Sequence, residues 1–172
     1  MTDDLWPADE ALTRLFNAHY RPLVRLAALL LADPGSAEEL VQDAYLRLHQ
    51  HWHRLRDPDR ALGYLRTSVI NGARSRQRRR SVADRYAAAV RHAPAAEEPS
   101  AEVGALGALR RAEVVAALRR LPARQREALV LRYYADYSEA EVAEAMGISR
   151  GAVKSHTARG LAALRPYLEA GR

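Results

Sequence analysis

The stretch SEAEVAEAMGISRGAVKSH, residues 138–156, carries the signals of two short helices joined by a tight turn. Ser138 followed three residues later by Glu141 forms a capping box, which predicts that a helix begins directly after Ser138. Gly147 stands where the turn between the helices needs a left-handed backbone, and glycine adopts that backbone without steric penalty. Ser149 is a favourable N-cap for the helix that follows. Together these signals predict a helix-turn-helix.

The second helix of this motif is predicted to have an apolar and a basic face. The apolar residues expected to share one core with the preceding helix, beside the small Ala143, are Val142, Met146, Ile148, Val153, Leu161 and Leu164. The outer face consists of Arg150, Lys154, Ser155, Ala158 and Arg159. The N-terminal part of such a helix enters the major groove, where Arg and Lys contact guanine edges or phosphates. A helical hairpin with merely solvated basic residues is disfavoured, because the turn glycine, both caps and the core pattern agree.

The composition of the whole chain restricts the class of protein. The 172 residues are 48% hydrophobic and 28% charged, which is typical of a globular helical protein. There is no cysteine, which excludes disulfides and thiolate zinc sites. The longest apolar run, LAALLLA at residues 26–32, is too short to cross a bilayer, and the acidic N-terminus is unlike a signal peptide. We therefore expect a cytoplasmic protein without membrane insertion, and its net charge of +6 indicates a polyanionic partner.

Two arginine-rich blocks, residues 11–80 and 108–168, lie on either side of an Ala-, Pro- and Glu-rich segment, residues 81–107. The middle segment lacks core-forming residues at its centre and is predicted to be a flexible linker. Each block contains helical patterns and turn signals, with Pro22 expected to bend or interrupt the first helix. The predicted fold class is therefore all-α, with two small helical domains joined by a flexible linker.

The helix predicted after the turn at residues 32–36 has two distinct faces. Ser36 and Glu39 read as a second capping box at its start. Its apolar stripe, a plausible core face, consists of Val41, Ala44, Tyr45, Leu48, Trp52 and Leu55. A second face, called the acidic ridge below, presents Glu39, Gln42, Asp43 and Leu46. Such a surface suits a basic protein partner better than DNA, although on these residues alone a solvated acidic face is an equal alternative.

Three stretches carry a family resemblance. AEELVQDAYLRL, residues 37–48, resembles region 2.2 of bacterial sigma factors, and residues 121–165 resemble their regions 4.1 and 4.2. The ending of the first block, YLRTSVINGARSRQRRR, resembles an actinobacterial subgroup of that family. The helix-turn-helix alone also resembles the output domain of LuxR-type response regulators. Because two motifs occur in family order around a linker, the chain resembles an extracytoplasmic-function (ECF, group 4) sigma factor of the sigma-70 family. The alternative is a stand-alone LuxR-like helix-turn-helix transcriptional regulator.

The resemblance implies a factor that binds RNA polymerase core and directs promoter-specific transcription initiation by recognising −10 and −35 elements. It places the acidic ridge on the clamp coiled coil of the β′ subunit, implies the β flap and promoter DNA as further partners, and leaves an anti-sigma factor open. It assigns −35 recognition to the outer face of the second helix of the helix-turn-helix, called the −35 face below, and adds Arg132 to those contacts. It also assigns −10 recognition to a set called the −10 face below, which is Arg60, Tyr64, Arg66, Asn71, Arg74 and Arg78.

The −10 assignment is chemically sensible for residues 61–80. Arg66, Arg74 and Arg78 fall near one helical face and form a cationic track, while Asn71 is suited to hydrogen-bond a base. Tyr64 and Trp52 could stack on unpaired bases, although core packing is the favoured interpretation for Trp52. Two departures leave sequence preference open. Ser75 stands where many family members have Asp, and Ala158 stands where a larger side chain can occur.

Catalytic and metal-binding functions are not indicated. His49 and His53 share a helical face, but His51 points elsewhere and no third ligand is evident nearby. His156 has no evident acid or serine partner for a hydrolase triad, and no phosphate-binding glycine loop occurs. We therefore expect no cofactor, no metal and no enzymatic activity.

Overall fold

The computed structural model describes residues 8–55, 57–87 and 105–169, and every regular element within them is helical. The elements are α1 (Ala8–Leu31), α2 (Pro34–Leu55), α3 (Pro58–Ala87), α4 (Ala105–Arg119), α5 (Ala123–Leu129), a π-helical segment (Val130–Tyr134), α6 (Glu139–Met146) and α7 (Arg150–Glu169). The predicted all-α fold class is confirmed. Within the described residues, none of the helices is long and apolar enough to cross a membrane.

The predicted linker at residues 81–107 is helical at both of its described ends. Helix α3 continues to Ala87 and α4 begins at Ala105, whereas residues 88–104 lie outside the described part of the chain. The start of this segment is therefore helical, whereas its centre, on which the linker prediction rests, lies outside the described residues. The sequence from Ser81 to Ala87 contains neither glycine nor proline, so nothing in it stops the helix.

Helices α1, α2 and α3 pack together as the N-terminal unit. Its most deeply buried side chains are Leu30, Val41, Leu48, Leu65 and Val69. Trp52 is buried among them, so the core interpretation is confirmed for this residue. Helix α1 runs through Pro22 without interruption.

The start of α2 differs from the prediction because Asp33 caps this helix. The Asp33 carboxylate accepts hydrogen bonds from the Gly35 N–H at 3.1 Å and from the Ser36 hydroxyl at 2.8 Å. Helix α2 therefore begins at Pro34, and the predicted capping box of Ser36 and Glu39 was wrong. Asp-Pro also opens α3, where an Asp57 oxygen accepts the Asp59 N–H at 3.0 Å. Proline suits a first helical position because its missing N–H has no partner there anyway.

Helices α4 to α7 and the π-helical segment form the C-terminal unit, with Leu131, Val142 and Val153 fully buried. Gly160 lets α7 approach α5 closely, since a Cβ atom at this position would lie 2.8 Å from Leu129 Cδ1. The neighbouring Leu161 is 42% exposed, so its predicted place in the core was wrong. Gly160 takes the inward position instead.

The two units pack directly against each other. Arg126 of α5 is buried at the contact, where its Nε donates to the Leu30 carbonyl of α1 at 2.9 Å. Its Nη1 donates to the Leu118 carbonyl at 3.3 Å. Burial, followed by the nearby positive charge of Arg80, lowers the pKa of Arg126. One continuous cluster of buried residues extends through both units, so the two predicted domains share a common core.

Candidate nucleic-acid and partner interfaces

The helix-turn-helix forms as its sequence predicts. The Ser138 hydroxyl oxygen accepts the Glu141 N–H at 3.2 Å, and a Glu141 carboxylate oxygen accepts the Ser138 N–H at 2.7 Å. Hydrogen bonds to Ser138 lower the pKa of Glu141. Gly147 ends α6 in the left-handed conformation at φ 64°, and the Ser149 hydroxyl oxygen accepts the Ala152 N–H at 3.1 Å. Both predicted caps and the turn glycine are confirmed.

The −35 face lies on the exposed side of α7. Arg150, Lys154, Ala158 and Arg159 are exposed, while Ser155 is half-buried. Glu139 at the start of α6 lies 3.3 Å from Arg150 Nε and 3.9 Å from Lys154 Nζ. These ion pairs hold the two long cations beside the turn. Because both cations are mostly exposed, the pairs are weak and an incoming phosphate can replace the carboxylate.

Arg132 is positioned by the π-helical segment. The Ala135 N–H bonds the Val130 carbonyl five residues earlier at 3.0 Å, which widens the turn, and Asp136 then adopts a φ of 57°. Arg132 is exposed, and its Nη1 donates to the Tyr137 carbonyl at 2.9 Å. This bond places the guanidinium beside Ser138, where α6 begins. The helix that begins at Ala123 therefore ends in a π-helical turn.

The acidic ridge forms one solvent-facing row on α2. Glu39, Gln42 and Leu46 are exposed and Asp43 is half-buried. Leu46 is 63% exposed. The row of acid, amide, acid and leucine predicted from the sequence is therefore present as one surface.

The −10 face on α3 is divided between solvent and the C-terminal unit. Arg60, Arg66, Asn71 and Arg78 are exposed, and Tyr64 is half-buried with its ring centroid 6.3 Å from that of His51. Arg74 differs from the rest because its side chain is only 23% exposed. Its Nε donates to Glu127 at 3.2 Å and its Nη2 donates to the Ala145 carbonyl at 2.7 Å. Both acceptors belong to the C-terminal unit.

Comparison with known protein families gives a match for each of the two units. Residues 15–82 match the family "Sigma-70 region 2", and residues 111–164 match "Sigma-70, region 4". The chain is 34% identical to the RNA polymerase sigma-E factor of Streptomyces avermitilis over 149 residues, which covers 86% of this chain and 79% of that protein. The chain is an ECF sigma factor of the sigma-70 family. It binds RNA polymerase core and directs promoter-specific transcription initiation.

A further relative and two solved structures of similar fold are consistent with this family. It is 33% identical to the ECF RNA polymerase sigma factor SigM of Mycobacterium tuberculosis over 164 residues, covering 94% of this chain and 80% of SigM. Its fold is similar to that of RpoE from Bartonella quintana, solved with the anti-sigma factor NepR, with a TM-score of 0.68, 23% identity and coverage of 93% and 98% of the two chains. It is also similar to CnrH, solved with the cytosolic domain of CnrY, with a TM-score of 0.62, 22% identity and coverage of 96% of each chain. Because sigma regions match in both units, the LuxR-like alternative has no support.

Three side chains of the sigma factor have roles that the sequence analysis missed. Arg76 of α3 donates to Glu39 at 3.1 Å and to Asp43 at 3.2 Å, so it fixes two carboxylates of the acidic ridge. Glu139 pairs with the −35 face, and Glu127 pairs with Arg74. Arg76 lies 33 residues from Asp43 and Glu127 lies 53 residues from Arg74, so no local spacing pattern could have revealed these pairs. Glu139 could have been found, because it occupies the first turn of the helix that packs on α7.

Two histidines of α2 make separate local contacts. His51 Nδ1 lies 2.7 Å from the Arg47 carbonyl of its own helix. His49 Nε2 lies 3.8 Å from an Asp9 carboxylate oxygen. Across residues 8–55, 57–87 and 105–169, no group of three His, Asp or Glu side chains could hold a metal ion.

Proposed function

We propose that the sigma factor divides its work among three surfaces. The acidic ridge docks on the β′ clamp coiled coil, the −10 face holds the separated strand of the −10 element, and the −35 face reads the −35 element. We assign residues 11–80 to core docking and −10 recognition, 108–168 to −35 recognition and 81–107 to their connection. The observation that carries the proposal is that an acidic row and a basic row face solvent on opposite units of one chain.

The docking role of the acidic ridge is supported by its charge and by its exposed leucine. Arg76 shares its single positive charge between Glu39 and Asp43, so the ridge keeps a net negative charge. The guanidinium also fixes the two carboxylates in place, which lowers the conformational entropy lost on binding. Leu46, 63% exposed at the end of the row, supplies apolar contact area to such an interface.

Recognition of the −35 element is supported by the order of the helix-turn-helix. Two caps and a left-handed glycine fix the angle between α6 and α7, so the cations on α7 are presented from a rigid support. Arg150 and Lys154 have donors that suit guanine O6 and N7 or phosphate oxygens. Arg132 adds a third cation next to the start of α6. Phosphate contacts of this kind orient a protein on the duplex, and base contacts then select the sequence.

Recognition of the −10 element is supported by the exposed part of α3. Arg66 and Arg78 are exposed cations that can follow a single-strand backbone. Asn71 is exposed and offers a donor and an acceptor to a base edge. Tyr64 is half-buried, so one part of its ring remains available for stacking.

The remaining assignments follow from membership of the family. We propose that the β flap contacts the C-terminal unit, and that an anti-sigma factor regulates the protein, since RpoE was solved with the anti-sigma factor NepR. We also propose that it acts in the cytoplasm, where polymerase and DNA are found, and that all catalysis is performed by polymerase.

The proposal is tested by run-off transcription with purified core polymerase and a genomic promoter library. Asp43→Arg reverses a charge at the centre of the acidic ridge, and we expect it to abolish core association in a pull-down assay. The matched control is Glu38→Arg, which changes an exposed neighbouring carboxylate outside the ridge. Core association that survives Asp43→Arg, or that is lost equally with Glu38→Arg, would overturn the docking assignment.

The DNA assignment is tested in the same assay. We expect Lys154→Ala to reduce promoter recognition while core association remains normal. The control Arg165→Ala removes an exposed cation further along α7, outside the −35 face. Equal transcription by the Lys154→Ala variant and the unchanged protein would reject the −35 assignment.

A further inference from the structure

Arg126 is a buried cation that forms no ion pair with a carboxylate of the described residues. It is 8% exposed, and its Nε and Nη1 donate to the main-chain carbonyls of Leu30, Leu118 and Leu121. Carbonyl oxygens satisfy hydrogen-bond donors but carry no net charge, so the positive charge keeps no counterion. Burying a charge without a counterion is costly. None of the three surfaces proposed above uses this guanidinium.

Arg126 lies in the wall of a cavity formed by residues of α1, α3 and α5. The cavity has a volume of about 400 Å³, which is within the range of small-molecule sites. Its polar lining consists of Gln77, Arg80, Ser81, Asp84, Arg85 and Arg126. Most of the residues from α3 are exposed, so the cavity opens to solvent on that side. No lining residue belongs to the acidic ridge, the −10 face or the −35 face.

The cavity carries an excess of positive charge. Arg80, Arg85 and Arg126 line it together with one carboxylate, that of Asp84. Asp33 lies 3.2 Å from Arg80 Nη2 and offsets part of that charge. The excess acts on the buried group, because burial, followed by the positive charge of Arg80, lowers the pKa of Arg126. An anion in the cavity would reduce this repulsion and supply the missing counterion.

The lining groups suit a phosphate that is attached to a ring. Guanidinium groups donate paired N–H bonds to phosphate oxygens. Arg85 is exposed, and its Nη2 lies 3.4 Å from the Ser81 hydroxyl oxygen, a long bond that an incoming anion can replace. Leu31 and Ala123 form the apolar part of the wall, on which a ring can pack. A DNA duplex is too wide to enter the cavity and would contact its exposed rim, whereas a small molecule can reach buried Arg126.

We propose that this cavity binds a small molecule that carries a phosphate or diphosphate group. The phosphate is held by Arg126 and Arg80, Arg85 contacts it from the rim, and the rest of the ligand packs on Leu31 and Ala123. Binding gives the buried arginine a counterion and therefore stabilises the folded chain. The site does not depend on the roles proposed for the acidic ridge, the −10 face and the −35 face, so the failure of either proposal leaves the other unaffected.

The test measures binding to the full chain by isothermal titration calorimetry at physiological ionic strength. Pyrophosphate presents the anion alone, ADP presents the anion with a base and a sugar, and adenosine presents the base and sugar without phosphate. A DNA oligonucleotide of mixed sequence is titrated in parallel, because its backbone offers the same phosphate chemistry. The thermal midpoint of unfolding is measured with and without each small ligand.

Two variants change the cavity without touching the core. Arg80→Gln and Arg85→Gln each remove one exposed cation from the lining. Arg79→Gln is the matched control, because it removes an exposed cation of the same helix that does not line the cavity. Buried Arg126 is left in place, so the test does not rely on a variant that fails to fold. Circular dichroism establishes that each variant is folded.

We expect pyrophosphate or ADP to bind at one site per chain and to raise the thermal midpoint, and adenosine to do neither. Each cavity variant should weaken this binding about tenfold, because it removes a charge-assisted hydrogen bond to phosphate. Arg79→Gln should leave the binding unchanged. The absence of saturable binding by both anions, or equal weakening by Arg79→Gln, would overturn the site. If the affinity for DNA depends on Arg85 and neither small anion binds, nucleic acid contacts the cavity and the proposal is wrong.

Discussion

The −35 and −10 faces are both rich in arginine, but they hold their cations in opposite ways. On α7, Arg150 and Lys154 stand in solvent and pair with Glu139 of the same unit. On α3, Arg74 is largely buried and pairs with Glu127 of the other unit. Charge and spacing along a helix therefore do not determine whether a basic residue is available to DNA. Its availability depends on which carboxylate the rest of the fold brings to it.

The energies of the two kinds of pair differ as well. Exposed ion pairs contribute about 0–1 kcal/mol, so Glu139 is an easily displaced competitor for DNA. Removing one partner of a buried pair costs about 3–5 kcal/mol, because the other charge is left without compensation. The −35 face is thus preformed and open, whereas access to the −10 face is coupled to the arrangement of the two units.

The largest effect is expected from substitutions in the shared core, which test whether the units unfold together. Leu48→Ala in the N-terminal unit and Leu131→Ala in the C-terminal unit each remove a fully buried side chain. Each should lower the free energy of unfolding by about 2–5 kcal/mol. Because the units share one buried cluster, both variants should show a single shifted transition in thermal denaturation. Two separated transitions, with only one shifted in each variant, would show that the units are independent.

The next prediction assigns the two DNA-reading faces to different steps of transcription initiation. Lys154→Ala should weaken the initial binding of holoenzyme to duplex promoter by about 1–3 kcal/mol, because it removes a −35 contact. Asn71→Ala should spare this initial binding and reduce strand separation, measured by 2-aminopurine fluorescence at the −10 element. If the two variants fail at the same step, the division of work between α7 and α3 is incorrect.

A smaller effect is expected at the cap of α7. Ser149→Ala removes the acceptor of the Ala152 N–H and should cost about 1 kcal/mol of stability, measured by urea denaturation. Since Ser149 directly precedes Arg150, the loss should also weaken −35 binding slightly. Ser149→Asp retains the capping oxygen and should restore the stability, so an equally unstable Asp variant would argue against the cap.

The smallest effect is a pH dependence at the start of α2. Burial raises the pKa of Asp33, but hydrogen bonds from Ser36 and Gly35 and the charge of Arg80 overcome it and leave the pKa lowered. A lowered pKa in the folded state stabilises the protein above the ordinary aspartate pKa of about 3.9, and this stabilisation is lost as the pH falls through the folded value. Asp33→Asn should therefore cost about 0.5 kcal/mol at neutral pH, and the difference should vanish in acid. If the stability difference between Asp33→Asn and the unchanged protein is the same at pH values below the folded pKa, ionisation of Asp33 is not its cause.

The sequence predicted correctly the helix caps and the turn glycine, because these features depend only on residues close by in the chain. Ser138, Gly147 and Ser149 act on backbone groups within a few residues, and the structure shows each of them acting as predicted. The Asp-Pro pair at residues 33–34 was interpreted as part of a turn, although aspartate followed by proline at the first helical position is also a helix start.

Other features depend on tertiary packing and were beyond the reach of sequence patterns. The inward position on α7 belongs to Gly160 because α5 passes close to it, which leaves Leu161 exposed. The packing of the units through Arg126, and the pairing of Arg74 with Glu127, join residues far apart in the chain. The family motifs located the proposed surfaces, but only the fold shows which of them the free protein covers.

The central claim, that the acidic ridge docks on polymerase and the −35 face reads DNA, is tested most directly by comparing Asp43→Arg and Lys154→Ala in a core polymerase pull-down and in run-off transcription. The account predicts that Asp43→Arg abolishes core association, and that Lys154→Ala keeps core association but reduces promoter-specific transcription. Core association that survives Asp43→Arg, or that is lost in Lys154→Ala, would contradict it.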